Sequence, residues 1–294
     1  MLTMTFLGVG NAFAKRNFHS NVLFEAWSRG PGRQPEPDDV LLVDFGAYAP
    51  LALHQLKDRP GFEYLGRGNH CYYPKLRRVF ITHQHADHIG GLEELAFMNT
   101  FVFTDPDTGR GFKPQIISSI NILMNLWDQS LKGGLSTIQG RYALLQDFFF
   151  IMALRPGEPG RERFTIHRRY QFRTFPTDHV QIERKYDWPS YGLHVTDLQT
   201  QETAFFSGDT KYDFDVYRSM MEPAGICFHD AQLIAHPSPV HALIDELRMM
   251  PAAIKRKTWL YHYGDNWDDP AYDYVAHEFA GFARQQERYV IFDG

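Results

Sequence analysis

The sequence predicts an α/β (α+β) protein built as two stacked β-sheets with helices outside. Three observations point there. Each half of the chain reads as strands followed by helices, the pattern of layers that share one core. The strand candidates are short apolar runs bounded by Gly, Pro and Asp. The 294 residues are 44% hydrophobic and 22% charged, as in an ordinary folded domain, and suffice for one layered unit spanning 1–294 with an insertion.

The elements follow in order. Leu2–Leu7, Asn21–Ala26 and Val40–Val43 are strand candidates, and the Gly- and Pro-rich stretch Arg29–Asp39 between the last two reads as a loop. A helix is expected over Ala49–Lys57. Arg78-Val79-Phe80-Ile81 reads as a short buried strand, and Leu92–Met98 has helical spacing. From about 105 to 160 the pattern changes: a turn at 105–109, a helical run over Ile116–Leu131, a Gly133-Gly134 break and an apolar segment from Tyr142 to Leu154. This region reads as a helical insertion or flap rather than a second domain. Strands return at Phe164–Phe175, Tyr191–Val195, Thr203–Phe206, Thr258–Tyr261 and Tyr289–Phe292, with helices expected over Val240–Met250 and Tyr272–Arg284.

Charge and composition narrow the function classes. The net charge of −5 does not favour a nucleic-acid polymer as partner. Two cysteines cannot make a disulfide framework, and they fit reduced thiols in a cytoplasmic protein. The first residues lack a basic leader and read as a strand, not an export signal. The longest apolar run, Phe148–Leu154, is far too short to span a bilayer.

The chemistry is concentrated in one segment. His83, His85, Asp87 and His88 fall within six residues, between a buried-strand candidate and Gly90-Gly91. A solvated histidine-rich loop is the bland reading, but this frame favours a metal site. A turn can aim His83 and His85 at one ion and Asp87 and His88 at another. Imidazole and carboxylate suit Zn2+, and also Mn2+ or Fe. Four groups do not complete two sites. His179, Asp209 and His262, each at the end of a strand-like run, are the candidates to complete them.

The series His-x-His-x-Asp-His-x-Gly-Gly, a later His179, the Gly208-Asp209 pair and a final His262 resembles the metallo-β-lactamase superfamily over nearly the whole chain. That resemblance implies a four-layer αββα sandwich with two divalent metal ions at one edge. It assigns His83, His85 and His179 to one ion, Asp87, His88 and His262 to the other, and Asp209 to a bridge. It also implies a hydroxide nucleophile between the ions, which Asp87 could orient.

Phe6-Leu7-Gly8-Val9-Gly10, then Lys15-Arg16-Asn17 and Ser20-Asn21, is similar to the opening of ribonuclease Z-like phosphodiesterases. Leu42-Val43-Asp44-Phe45-Gly46 resembles their second signature, which makes Asp44 a support for the metal loop. Phe228-His229-Asp230-Ala231 resembles their His-Glu-Ala segment, with Asp230 in place of Glu. His241 matches a histidine that contacts the scissile phosphate in those enzymes. Two departures stand out: no basic RNA-gripping arm is visible, and the chain after His262 is acidic over Asp265–Asp269. Both favour a small substrate over RNA, and cyclic nucleotide phosphodiesterases of this fold fit that pattern. A tRNA 3′ endonuclease, a thioester or lactone hydrolase, and a metal-free binding module are the alternatives. In some relatives the insertion builds a homodimer and lids the neighbouring site. The stretch Trp127–Gly140 could do so here, or could pack as a hairpin in its own monomer.

Overall fold

The computed structural model describes residues 1–181, 188–236 and 239–293. Two seven-stranded sheets stack face to face. The first contains β1 (Leu2–Phe6), β2 (Val22–Ala26), β3 (Asp39–Val43), β4 (Arg78–Phe80), β5 (Gln115–Ser119), β6 (Phe150–Leu154) and β14 (Arg288–Phe292), in the order β6-β5-β4-β3-β2-β1-β14. The second runs in chain order: β7 (Arg163–Ile166), β8 (Tyr170–Val180), β9 (Trp188–Asp197), β10 (Thr203–Phe206), β11 (Ile226–Asp230), β12 (Thr258–Tyr261) and β13 (Gly281–Phe282).

Both sheets change character at their middle. In the first, β14, β1, β2 and β3 pair antiparallel, while β3, β4, β5 and β6 are parallel. In the second, β7 to β10 are antiparallel and β10 to β13 parallel. Parallel neighbours release their loops at one common edge, so chain leaving β3, β4, β10, β11 and β12 arrives at the same side of the sandwich.

Aromatic side chains from facing strands lock the sheets together. Phe6 lies 5.6 Å from Phe228 and 5.4 Å from Tyr261, ring centre to ring centre. Phe24 meets Phe172 at 5.1 Å, and Phe80 meets Phe164 at 5.8 Å. All are buried, and truncating one such ring to alanine typically costs about 3–5 kcal/mol. Helices cover the outer faces. α1 (Ala49–Leu56) buries Ala49, Ala52, Leu53 and Leu56. A further helix, Phe214–Met221, turns Tyr217 onto Phe175 and Phe205 of the second sheet. The fold is the αββα sandwich expected.

Several local expectations change. The helix expected over Ile116–Leu131 begins as strand β5, and only 120–135 is helical. A buried run such as Ile116-Ile117 has no period that separates helix from strand, and pairing with β4 and β6 decides it. Phe150–Leu154, counted within the insertion, is the edge strand of the first sheet. The part of 105–160 outside the sheet is therefore the helical run, the small hairpin Thr137–Ile138 with Arg141–Tyr142, and a turn of helix at Leu145–Phe148. The helices expected over Val240–Met250 and Tyr272–Arg284 shrink to Ile244–Leu247 and Val275–Glu278. The helix at Phe214–Met221 was missed.

Candidate metal centre

β4 ends at Phe80, and its loop delivers His83 and His85 before the short helix α2 (Ala86–Ile89) carries Asp87 and His88. Asn21 fixes the turn. Its Nδ2 donates to the carbonyl of Asp87 at 3.0 Å, and its Oδ1 accepts from the amide of Gly46 at 2.8 Å. Gly46 has to be glycine: a Cβ there would sit 1.8 Å from the Asp87 carbonyl oxygen. The sequence signal for Asn21 and Gly46 was present in the two opening signatures, but their joint task, holding the metal loop from two sides, needs the fold.

The second half supplies single residues. His179 stands near the end of β8, Asp209 follows β10, and His262 follows β12. Gly208 supports the turn before Asp209 with φ +62°. A Cβ there would meet the Tyr191 carbonyl at 2.5 Å. Asp44 and His262 both hold positive φ, +65° and +60°. Such backbone is uncommon outside glycine and collects at functional sites.

The side chains converge in two groups. His83, His85 and His179 form one, and Asp87, His88, Asp209 and His262 the other, with their donor atoms within 4.8 Å of one another inside each group. In the first, His85 Nδ1 lies 2.9 Å from His83 Nε2 and 3.2 Å from His179 Nε2. Two nitrogens bound tetrahedrally to one zinc stand about 3.3 Å apart, so this spacing suits a cation. Asp209 Oδ2 lies between the groups. It is 3.2 Å from His88 Nε2 and from His262 Nε2, 3.7 Å from His83 Nε2 and 4.0 Å from His179 Nε2. Asp87 Oδ2 lies 3.3 Å from His88 Nε2 and 3.4 Å from His262 Nε2.

The electrostatics ask for positive charge here. Burial, then His88, holds the His83 imidazole well below its ordinary range, and burial takes His179 down to about 4. Both are neutral rings with lone pairs to share. Burial also presses on His88, but Asp209, Asp87 and Asp44 outweigh it and raise its pKa. Burial would raise Asp87, yet His88 and His262 keep it ionised. Asp209 is likewise held low against its burial by His262 and His88, and its Oδ1 has no hydrogen-bond partner. Buried carboxylates grouped with imidazoles, one oxygen of them without a partner, fit divalent cations.

Outer partners orient the rings. Asp44 Oδ2 accepts from His88 Nδ1 at 2.7 Å and from Thr82 Oγ1 at 2.7 Å. Thr82 Oγ1 in turn accepts from His83 Nδ1 at 3.0 Å. One carboxylate thus steers a ring in each group. His179 Nδ1 donates to the Val240 carbonyl at 2.8 Å. His241 Nδ1 donates to Asp230 Oδ2 at 2.8 Å, and the His241 ring stands 4.8 Å from His179 and 4.5 Å from His262. Burial lowers and Asp230 raises the His241 pKa, with a net rise. His241, Asp230, Asp209 and His262 together form a third convergent group, so His241 stands beside the candidate ligands. All residues singled out from the sequence meet at this edge. Thr82 and the Val240 carbonyl were not anticipated.

The groups open into a cavity of about 710 Å³. His85, Asp87, His241 and His262 line it, together with Phe13, Leu233 and Ile234. The acidic stretch after His262 is not a free rim. Asp265 accepts from the amides of Lys15 and Arg16, and Asp268 binds the Arg16 guanidinium.

A two-sheet sandwich with this His/Asp edge is the arrangement of metal-dependent hydrolases of the metallo-β-lactamase fold. Residues 2–289 match the family described as Anti-Pycsar protein Apyc1, and the chain belongs to that family. The Anti-Pycsar protein Apyc1 of Paenibacillus sp. (strain J14) is 32% identical over 269 residues, covering 91% of each chain. That of Bacillus phage vB_BsuM-Goe3 is 32% identical over 270 residues, 90% of each. Among solved structures, the metallo-β-lactamase fold protein YhfI from Bacillus subtilis superposes with a TM-score of 0.65 at 17% identity, covering 98% of both chains. Human tRNase Z, short form, superposes at 0.62 and 15% identity, over 98% of this chain and 99% of the other.

Proposed function

We propose that this chain opens the phosphodiester of a cyclic nucleotide, using two divalent ions, zinc before manganese or iron. His83, His85 and His179 would hold one and Asp87, His88 and His262 the other, with Asp209 placed between the two groups. The observation that carries this reading is the position of Asp209 Oδ2, within 3.2–4.0 Å of donor atoms from both groups. When bound, such ions lower the pKa of water to about 7 and withdraw charge from a phosphoryl group.

The chain's own residues do the rest. Asp44, through His88 directly and His83 by way of Thr82, keeps two rings aimed inward. Asp230 holds His241 by Nδ1 and favours its protonated form, so Nε2–H is the group left to donate a proton to the leaving oxygen. The cavity has the size of a small-ligand site.

The test is turnover of bis-p-nitrophenyl phosphate and of a panel of cyclic nucleotides, with zinc or manganese, beside an Asp87→Ala control. Turnover of a cyclic nucleotide that disappears in the control supports the reading. Turnover of none of them sinks it.

Two further points belong to the same proposal. The insertion exposes Met124, Tyr142 and Leu144, apolar groups suited to a homodimer contact; a monomer by light scattering would remove that part. A cytoplasmic setting fits the two buried free thiols, Cys71 and Cys227. Among the described residues no helix is long and apolar enough to cross a membrane.

A further inference from the structure

We propose that Phe13 is the platform on which the substrate's base stacks, and that a clamp of Asp265, Arg16 and Asp268 holds it in place. The inference rests on the nucleotide reading above and names its base subsite.

Phe13 is 85% exposed and lines the same cavity as His85, Asp87 and His262. One exposed phenyl ring means nothing by itself. What distinguishes this one is its mounting. The Asn11 amide donates to the Tyr263 carbonyl at 3.2 Å, one residue past His262. The Phe13 amide donates to Asn11 Oδ1 at 3.0 Å, and the Ala14 amide to the Asn11 carbonyl at 3.1 Å. Beyond the turn, the Lys15 and Arg16 amides donate to the two oxygens of Asp265 at 2.7 and 2.9 Å. The Arg16 guanidinium then takes Asp268 through both arms, at 2.7 and 2.6 Å. A tight turn is therefore tied at both ends to the loop that follows His262.

The tie holds the turn that carries Phe13 against the loop after His262. Ile234, 66% exposed, and Leu233 line the same cavity from the loop after β11. A flat group in this cavity thus has an aromatic and two aliphatic side chains available to lie against. A nucleotide whose phosphate reaches His85, Asp87 and His262 carries a flat base on the sugar's other side. Stacking of a base on an aromatic side chain is sequence-tolerant, because every base has a π-face, and its loss reads as roughly 5- to 150-fold in affinity. A turn whose backbone is already held adds little ordering cost on binding. The acidic stretch of the sequence finds its use here: Asp265 and Asp268 position the turn and leave RNA repulsion aside.

The experiment compares kcat/KM for a cyclic nucleotide with that for base-free ribose 3′,5′-cyclic phosphate, in the wild type and in Phe13→Ala, Phe13→Trp and Asp265→Asn. The ratio of the two values is the readout. The expected result is a ratio at least about fivefold lower in Phe13→Ala, through KM and not kcat, restored in Phe13→Trp and partly lowered in Asp265→Asn. A wild-type ratio retained in Phe13→Ala overturns the inference alone. A wild type that turns over no cyclic nucleotide overturns the phosphodiesterase reading and this subsite with it.

Discussion

The two halves of the molecule build one site by opposite means. The first sheet hands over four donor groups in a single connection, His83 to His88, and braces them with one buried carboxylate, Asp44. The second sheet contributes one residue at a time, from the ends of β8, β10 and β12. The reach of each half also differs. His83 and His85 serve one group, Asp87 and His88 the other, whereas Asp209 stands between them. A dense loop gives redundancy; a dispersed set gives each member a task no neighbour can assume.

Asp209→Ala against His85→Ala is the hardest test of that contrast, and the largest effect. Losing Asp209 removes the shared group, and turnover should fall on the order of 10³-fold with bound metal lost from both groups. Losing His85 leaves Asp87, His88, Asp209 and His262 complete, so about half the metal should remain. Equal metal content in the two variants, by elemental analysis, would break the comparison.

His241→Ala comes next. Its ring sits beside His179 and His262 and is held through Nδ1 by Asp230. The expected loss is about 10²-fold in kcat with metal content kept. Metal lost in proportion to activity would instead move His241 into the ligand set.

This asymmetry also explains what could be read from the sequence. The first half's candidate ligands are neighbours in the chain, so their spacing was itself the signal, and the Asp44 signature lay one strand earlier. His179, Asp209 and His262 are singly ordinary strand-end residues, named from the sequence only by their order and the family resemblance, and the fold brings the ends of β8, β10 and β12 to one edge. Thr82 was invisible because its hydroxyl matters only through two hydrogen bonds, to Asp44 and His83. The Val240 carbonyl carries no side-chain identity to read. Secondary structure failed where burial erases periodicity, as in β5, and where tertiary packing cuts a helical pattern short, as at 272–284.

The supports sharpen the contrast at smaller amplitude. In the first half a removable carboxylate orients His88 and, through Thr82, His83; in the second a backbone carbonyl orients His179. Asp44→Asn should weaken metal affinity roughly 10–100-fold, measured by chelator competition, with turnover recovered at high metal. Val240→Ala keeps the carbonyl and should change affinity little. A Val240 effect as large as that of Asp44 would show that the two supports are not different in kind.

The smallest effect concerns how the second half keeps its separate connections together. Glu278, past the His262 loop, pairs with Arg248 and Lys255 from the preceding helical segment. Hydrogen bonds from Arg248, then Lys255, bring its carboxyl down to about 2 from an ordinary 4.5. A carboxylate with a lowered folded pKa stabilises the fold above its unfolded pKa. That contribution is present above about pH 4.5 and fades as the pH falls toward 2. The group is partly exposed, so solvent screening keeps its worth under about 1 kcal/mol. Glu278→Gln should therefore lower Tm by a few degrees at most at pH 7, with the gap to wild type narrowing between pH 4.5 and 3. A gap that stays constant across that window would mean the glutamate acts by packing and not by charge.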